Sequence, residues 1–363
     1  MTAVAYIILV FTVIQMLVAL INLVIETNLP QRGKLSGPLV SVLIPARNEE
    51  NNISNLLDDL LNQDYQNIEV IVFNDQSDDR TAEIVTRYSD HDGRIRLVDS
   101  PGLSEGWLGK NFACHSLSLK ASGRYLLFLD ADVRISDNAI GRAAQFAEQK
   151  NLNLISLFPK QDIVTFGERI TVPNMNYILV SLLPLVLVRK VRFPSLAAAN
   201  GQFMFFTAKE YREMMPHEKM KKEKVEDILI ARAYKRMEFK VACMLGDDST
   251  TCRMYFGFSD AVKGFSKNVT EFFGGSFVIA ILFWLVTTFG FIFTYLYLSP
   301  LLFVLYIAAY ILARIFVSVA SRQNAFYNLL YVVPLQVSLG IFIFESFINR
   351  YFRKFQWKGR YIK

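Results

Sequence analysis

Tyr125-Leu-Leu-Phe-Leu-Asp-Ala-Asp132 is a run of five apolar residues closed by two carboxylates one residue apart. The run reads as a buried strand and the carboxylates as its polar end. Working outward, the same pattern recurs. Upstream, Leu39-Val-Ser-Val-Leu-Ile44 runs into Pro45, and Ile68–Phe73 runs into the turn Asn74-Asp-Gln-Ser-Asp-Asp79. Between them, within Glu49–Asn62, Ile53, Leu56, Leu57, Leu60 and Leu61 carry helical spacing. A helix over Arg80–Tyr88, a strand over Arg94–Val98 and a helix over Lys110–Ala121 come before the quoted run. A helix near Asn138–Gln149 and a strand near Leu152–Leu157 come after it. This βαβα rhythm predicts an α/β domain with a mostly parallel sheet and helices on both faces. Ligands of such sheets bind beyond the carboxyl ends of the strands. Here those ends carry Asp75 with Asp78, Asp99, and Asp130 with Asp132.

The rest of the chain is different in kind. Of 363 residues, 52% are hydrophobic, and the excess is local, which argues against a purely soluble protein. Ala3–Ile25 carries no charge and is long enough to span the roughly 30 Å hydrocarbon core. It lacks the basic start and small-residue cleavage site of a signal peptide. Three further apolar segments are expected: Ser276–Leu298, Leu301–Ala320 and Ala325–Ile348. Arg32 and Lys34 place residue 31 onward in the cytoplasm by the positive-inside rule. Three full crossings after that would leave the basic tail (Arg350, Arg353, Lys354, Lys358, Arg360, Lys363) outside, so the last segment is the candidate for a re-entrant or interfacial one. Thr171–Val188 is apolar but holds Pro173, Asn174, Asn176 and Pro184 before Arg189, Lys190 and Arg192, and fits the membrane surface better than a crossing. The expected divisions are an anchor over residues 1–30, a cytoplasmic α/β domain over 31–265 with 171–195 interfacial, and a membrane domain over 266–363. Arg314, inside an apolar segment, is either functional, paired within the bundle, or snorkelling.

Several function classes drop out. No GxGxxG follows the first strand and no GxxxxGK[ST] occurs, which argues against dinucleotide dehydrogenases and P-loop NTPases. Cys114, Cys243 and Cys252 form no disulfide framework, and three histidines make a His-rich metal site improbable. The net charge of +6 gathers beside apolar segments, so it reports membrane and not nucleic acid. What remains is the acidic strand ends. Two carboxylates spaced as Asp130 and Asp132 can reach one hard divalent cation, Mg²⁺ or Mn²⁺, which commonly shares its oxygen ligands with a substrate diphosphate. Alone the pattern is weak, since a strand end or helix cap looks the same.

Order makes it specific. Pro45-Ala-Arg-Asn-Glu-Glu50, Asn74-Asp-Gln-Ser-Asp78, Gly109-Lys-Asn111, Asp130-Ala-Asp132, Glu226-Asp227 and Arg253-Met-Tyr255 follow one another along residues 38–265. This succession resembles the inverting family 2 glycosyltransferases, whose Rossmann-like GT-A fold binds nucleotide-sugars. With Trp107, Ala113-Cys114 and Trp357-Lys-Gly-Arg360 added, it is similar to the membrane glycosyltransferases of carotenoid-acid and hopanoid-type lipid pathways. The resemblance implies a UDP-sugar donor (glucose foremost), a divalent metal, a lipid acceptor such as a carotenoid acid, and a multi-pass protein of the cell membrane. It implies that Pro45, Arg47, Glu49 and Asp75, with Asp78 beside them, contact the nucleoside. Lys110 would lie near the nucleotide, Asp130 and Asp132 would hold the metal and diphosphate, and Asp227 would be the general base. Arg253 would match the arginine of the family's QxxRW-like element. Gln and Trp are absent there, which favours a single transfer over processive synthesis.

Competing readings stand beside these. Lys110 can be a solvated helix residue, and Glu226-Asp227 a solvated face within the charged stretch 219–227. Gly201 either shapes the acceptor side or marks a bend, His115 packs on its helix, and Trp107 lines a sugar pocket or anchors a loop. At the level of the whole chain, the alternatives are a polyprenyl-phosphate, glycerolipid, ceramide or sterol glycosyltransferase, a membrane-anchored nucleotide-binding module, or a transporter. The last is disfavoured because no paired repeat of broken helices is present.

Overall fold

The computed structural model describes residues 1–25, 27–352, 355–357 and 360–362. Arg353, Lys354, Lys358, Gly359 and Lys363 of the basic tail and its motif lie outside the described residues. The strands, in chain order, are β1 (Val40–Ala46), β2 (Ile68–Asn74), β3 (Ile95–Asp99), β4 (Tyr125–Leu129), β5 (Val133–Ile135), β6 (Leu154–Phe158), β7 (Lys160–Gln161), β8 (Phe203–Thr207), β9 (Val241–Leu245), β10 (Thr250–Cys252), β11 (Phe355–Trp357) and β12 (Arg360–Ile362).

Among the described residues, seven strands form one sheet in the order β3-β2-β1-β4-β8-β6-β9. β1 pairs in parallel with both β2 and β4, β2 with β3, and β6 with β9. β8 runs antiparallel to β4 and β6. The continuous apolar runs follow from this position: β4 and β9 are buried along their whole length, as expected where helices cover both faces. Each fully buried Leu, Val or Phe contributes about 1.5–3 kcal/mol. The helix Ile53–Leu61 buries Ile53, Leu56, Leu57 and Leu60, the stripe its spacing predicts. A side pairing of β10 with β5 sets Cys252 opposite Val133, next to Asp132.

Two compact units result. One comprises Asn28–Lys160 and Leu185–Cys252 and holds the large sheet. The other comprises Met1–Thr27, Gln161–Pro184 and Arg253–Lys363. Within the second unit, four helices are long and apolar enough to cross a membrane: Thr2–Val24, Phe277–Tyr297, Pro300–Ala320 and a span of Val332–Arg350. The last expected segment is broken, with a short helix Ala325–Leu330 preceding Val332–Phe352. Gln336 joins that last helix to its neighbour. Trp284 Nε1 donates to its carbonyl (2.8 Å), and Thr287 and Thr288 donate to its Oε1 (3.3 and 3.1 Å).

The stretch expected at a membrane surface forms two helices, Pro173–Leu182 and Leu185–Lys190. The first is buried from Pro173 through Ser181. Some of the polar groups on these segments bond to other helices. Asn174 Nδ2 donates to Leu335 O (2.9 Å) and Ser338 Oγ (3.0 Å), and Gln15 Nε2 donates to Ser181 Oγ (3.1 Å). Asn22 Nδ2 donates to the carbonyls of Val180 and Leu183, both at 2.8 Å.

Candidate active site

The carboxyl ends of β1 and β2 carry two loops locked to each other. Arg47 donates to the carbonyls of Asp75 (2.6 Å) and Gln76 (3.2 Å). Asn48 sits at φ 53°, a conformation that Asn tolerates better than most residues. Its N–H donates to Ser77 Oγ (3.1 Å) and its Oδ1 accepts from Asp78 N (2.9 Å). Glu49 N donates to Thr81 Oγ1 (2.8 Å) and Glu50 N to Asp79 Oδ2 (3.1 Å). Asp79 also accepts from the N–H and hydroxyl of Thr81, so these bonds hold its carboxyl below the usual range despite burial. The lock therefore uses Asp79. Asp78, expected beside the nucleoside, has an exposed side chain, whereas Asp75 is 2% exposed.

A second group of charges gathers around one amine. Lys110 is the second residue of the helix Gly109–Lys120. Its Nζ lies 2.7 Å from Asp130 Oδ1, 2.8 Å from Oδ2, and 3.9 Å from Glu226 Oε1. Gly201 O accepts from Lys110 at 3.5 Å, and Gly201 N donates to Asp227 Oδ2 (3.0 Å). Asp227 Oδ1 accepts from Ile228 N (2.8 Å), in the first turn of the helix Glu226–Arg236. A Cβ on Gly201 would stand 3.2 Å from Lys110 Nζ, 3.5 Å from Glu226 Oε1 and 3.7 Å from Asp227 Cβ, so a larger residue here would displace the lysine ammonium by a few tenths of an ångström. The backbone also ties β4 to this turn, because Asp130 N donates to Gln202 O (3.1 Å).

The electrostatics follow from this crowding. Burial pushes Glu226 up to about 7, opposed by Lys110 and reinforced by Asp227 and Asp130. Burial likewise raises Asp227, against the N–H groups of Ile228 and Gly201 and the charge of Lys110. Asp132 rises to about 6 through burial and the neighbouring carboxylates of Asp130 and Glu49. Burial would lower Lys110, but Asp130 and Glu226 outweigh it and hold the amine firmly protonated.

Asp132 bears on metal binding. Its Oδ1 is buried without a hydrogen-bond partner. Cys252 lies nearby, with its sulfur accepting from Gln202 Nε2 (3.0 Å). Among the described residues, no group of three or more His, Cys, Asp and Glu is placed to hold an ion by itself. A carboxylate oxygen lacking a partner, one residue from a second carboxylate, fits a hard cation that takes its remaining ligands from a diphosphate and water.

The structure thus brings together Lys110, Asp130, Gly201, Glu226 and Asp227, contributed by segments far apart in sequence. Arg253 belongs to the other compact unit, where it donates to the fully buried Glu168 (2.9 Å) and stacks over Phe256 at 4.6 Å. Glu168 closes a capping box with Thr165. Trp107, in the loop before the helix Gly109–Lys120, packs on that helix, 5.0 Å from His115 and 5.7 Å from Phe112. Glu226 is the residue to which sequence reasoning gave too little weight. Its only signal was adjacency to Asp227.

Residues 41–215 match the family model for glycosyl transferase family 2. The 4,4'-diaponeurosporenoate glycosyltransferase of Staphylococcus haemolyticus is 28% identical over 63% of this chain and 60% of its own length. The Staphylococcus aureus protein of that name is 27% identical over 68% of this chain and 65% of its own. The chain thus spans about 60–65% of the length of these curated relatives. Among solved structures, the mannosyltransferase PcManGT from Pyrobaculum calidifontis, in complex with GDP-Man and Mn²⁺, aligns with a TM-score of 0.56 at 16% identity. That alignment covers 96% of this chain and 99% of the other. The likeness shows the fold, which is GT-A.

Proposed function

We propose that this chain, whose residues 41–215 match the model for glycosyl transferase family 2, moves one sugar from a nucleoside-diphosphate donor to a lipid acceptor. In our reading the donor is a UDP-sugar, with glucose foremost, and the acceptor is a carotenoid acid or another membrane lipid. The observation that supports this best is the cluster at the carboxyl end of β4, where one protonated lysine faces three carboxyl groups beside a glycine turn. The names and bound molecules of the relatives and of the structural neighbour agree with the class.

Pro45, Arg47, Glu49 and Asp75 would contact the nucleoside, with Asp78 at the rim. Asp132 and Asp130 would hold a divalent metal, Mg²⁺ or Mn²⁺, with the diphosphate. When bound, such an ion neutralises charge on the departing nucleoside diphosphate. Lys110 would add a fixed positive charge next to that diphosphate. The acceptor oxygen forms a bond to the anomeric carbon from the face opposite the leaving diphosphate. The carbon–oxygen bond to the diphosphate breaks, and configuration inverts. Asp227 takes the acceptor's proton; its two backbone donors fix the carboxylate's direction, and such proton transfer contributes about 10²–10⁴ in rate. A carboxylic-acid acceptor is already ionised at neutral pH and needs this base less. Four apolar helices would keep the domain at the bilayer, because each CH₂ of a lipid exposed to water costs about 0.8 kcal/mol.

The test is calorimetric binding of UDP and of GDP to the full chain in detergent, with and without Mn²⁺, on wild type and Asp132→Ala. The reading expects metal-dependent UDP binding that Asp132→Ala abolishes. Metal-dependent binding of GDP instead would redirect the donor, and binding of neither would overturn the nucleotide-sugar assignment. Asp227→Asn then separates acceptors, with a severe loss for an alcohol and a modest one for a carboxylate.

A further inference from the structure

Arg314 lies in the apolar helix Pro300–Ala320 and is 3% exposed, so its charge does not reach water by snorkelling. Nor does it meet an opposite charge: among the described residues, no carboxylate lies within ion-pair distance of it. Its partners are aromatic. The guanidinium stacks on the Tyr177 ring at 3.8 Å and on Tyr310 at 5.3 Å, and it donates to the Tyr310 hydroxyl at 3.3 Å. Its Nε is buried with no hydrogen-bond partner. Polar groups of other helices in the same unit surround this place. Ser181 accepts from Gln15 one turn beyond Tyr177, and Ser318 follows Arg314 by one turn. Six residues separate Arg314 from the end of its helix, about 9 Å along the axis. A cation buried among rings and hydroxyls, with a spare donor, is an incomplete ion pair. Ring faces favour the cation but leave its N–H groups unsatisfied, whereas a carboxylate or phosphate oxygen satisfies both its charge and its donors.

We infer that Arg314, with Tyr310 and Tyr177, forms an anion site within the apolar helices that takes the single anionic head group, carboxylate or phosphate, of an amphiphile. The site is independent of the sugar-transfer reading, since none of its residues has a role in that chemistry. The two sources that share this chemistry are a long-chain acid and a membrane phospholipid.

The full chain, purified in a neutral detergent and stripped of lipid, is titrated with oleate, phosphatidylglycerol and uncharged diacylglycerol. Binding is followed by native mass spectrometry and by quenching of intrinsic fluorescence. Saturable binding of oleate, of phosphatidylglycerol or of both, at least tenfold tighter than diacylglycerol, is expected. Oleate alone points to an acid ligand and phosphatidylglycerol alone to a membrane lipid. Arg314→Gln should remove the preference, and Arg314→Lys should keep most of it, with UDP binding unchanged in both. Equal binding of charged and uncharged amphiphiles by wild type overturns the proposal even if Arg314→Gln fails to fold. So does a preference that survives Arg314→Gln.

Discussion

Replacing Lys110 with methionine keeps the bulk of the side chain and removes the one positive charge bonded within the carboxylate cluster. Nζ stands 3.9 Å from Glu226 Oε1, and Lys110 lowers the pKa values of Glu226, Asp227 and Asp132. At that separation, unit charges interact by about 1 kcal/mol in water and about 4 kcal/mol at an effective dielectric of 20. Lys110 and Asp130 keep roughly a quarter of their side-chain surface exposed, which favours the lower half of that range. Since about 1.4 kcal/mol is one pKa unit, Glu226 should titrate ~1–2 units higher in the variant, and Asp227 moves in the same direction. The sign is fixed: a lost cation destabilises the ionised form, so Glu226 moves up from about 7. A base that must be ionised then works only at higher pH. The assay is the pH dependence of kcat/KM for sugar transfer, in wild type, Lys110→Met and Lys110→Arg. The acid limb should shift alkaline in the methionine variant and stay near its place in the arginine variant. A uniform loss of rate at every pH, with the limb unmoved, would refute the coupling and leave Lys110 as a phosphate contact alone.

Other consequences can be measured without turnover. Arg142 is buried and bonds Asp247 (2.5 Å), Ser249 Oγ (2.5 Å) and the carbonyls of Leu29 and Pro30. Arg142→Ala should cost about 3–5 kcal/mol, seen as a lower Tm, because Asp247 is left charged and buried. Despite burial, these bonds hold Asp247 at about 2, so its contribution is complete above the unfolded value of about 3.9 and is lost as pH falls towards 2. Lys235 Nζ donates to the carbonyls of Val191 (3.0 Å), Phe193 (3.4 Å) and Leu196 (2.7 Å). Lys235→Met should therefore make residues 191–196 the first site of limited proteolysis. Gly201→Ala should raise the nucleotide-sugar KM with little change in Tm, because Lys110 Nζ must shift by a few tenths of an ångström; an unchanged KM would contradict the close approach.

What the sequence made legible, and what it did not, divides by range. Strand runs and their acidic ends are local patterns, so β1 through β4 could be read directly. The insertion of antiparallel β8 between β4 and β6 depends on pairing partners far along the chain, and no local signal carries it. The same holds for Lys110 meeting Glu226, and for Arg142, whose buried role needs Asp247 in place. Asp78 and Asp79 are neighbours with similar propensities, and only the loop geometry distinguishes the exposed one from the one that binds Thr81 and Glu50. In Pro173–Leu182, Asn174 read as weakening a spanning helix, because the carbonyl that accepts from it, that of Leu335, lies far along the chain.

The mutual lock between the loops after β1 and β2 has a thermodynamic consequence. Each free loop samples many backbone states, and ordering one residue costs about 1–2 kcal/mol. Here Asn48, Glu49 and Glu50 are already tied to Ser77, Asp78, Asp79 and Thr81. Their disorder is surrendered when the chain folds and not when a ligand arrives. A ligand meeting these loops therefore finds a rigid rim, and its affinity is not eroded by ordering the receptor. Loosening the lock at Asn48 should appear in calorimetry as a more unfavourable binding entropy, with the contact residues themselves intact.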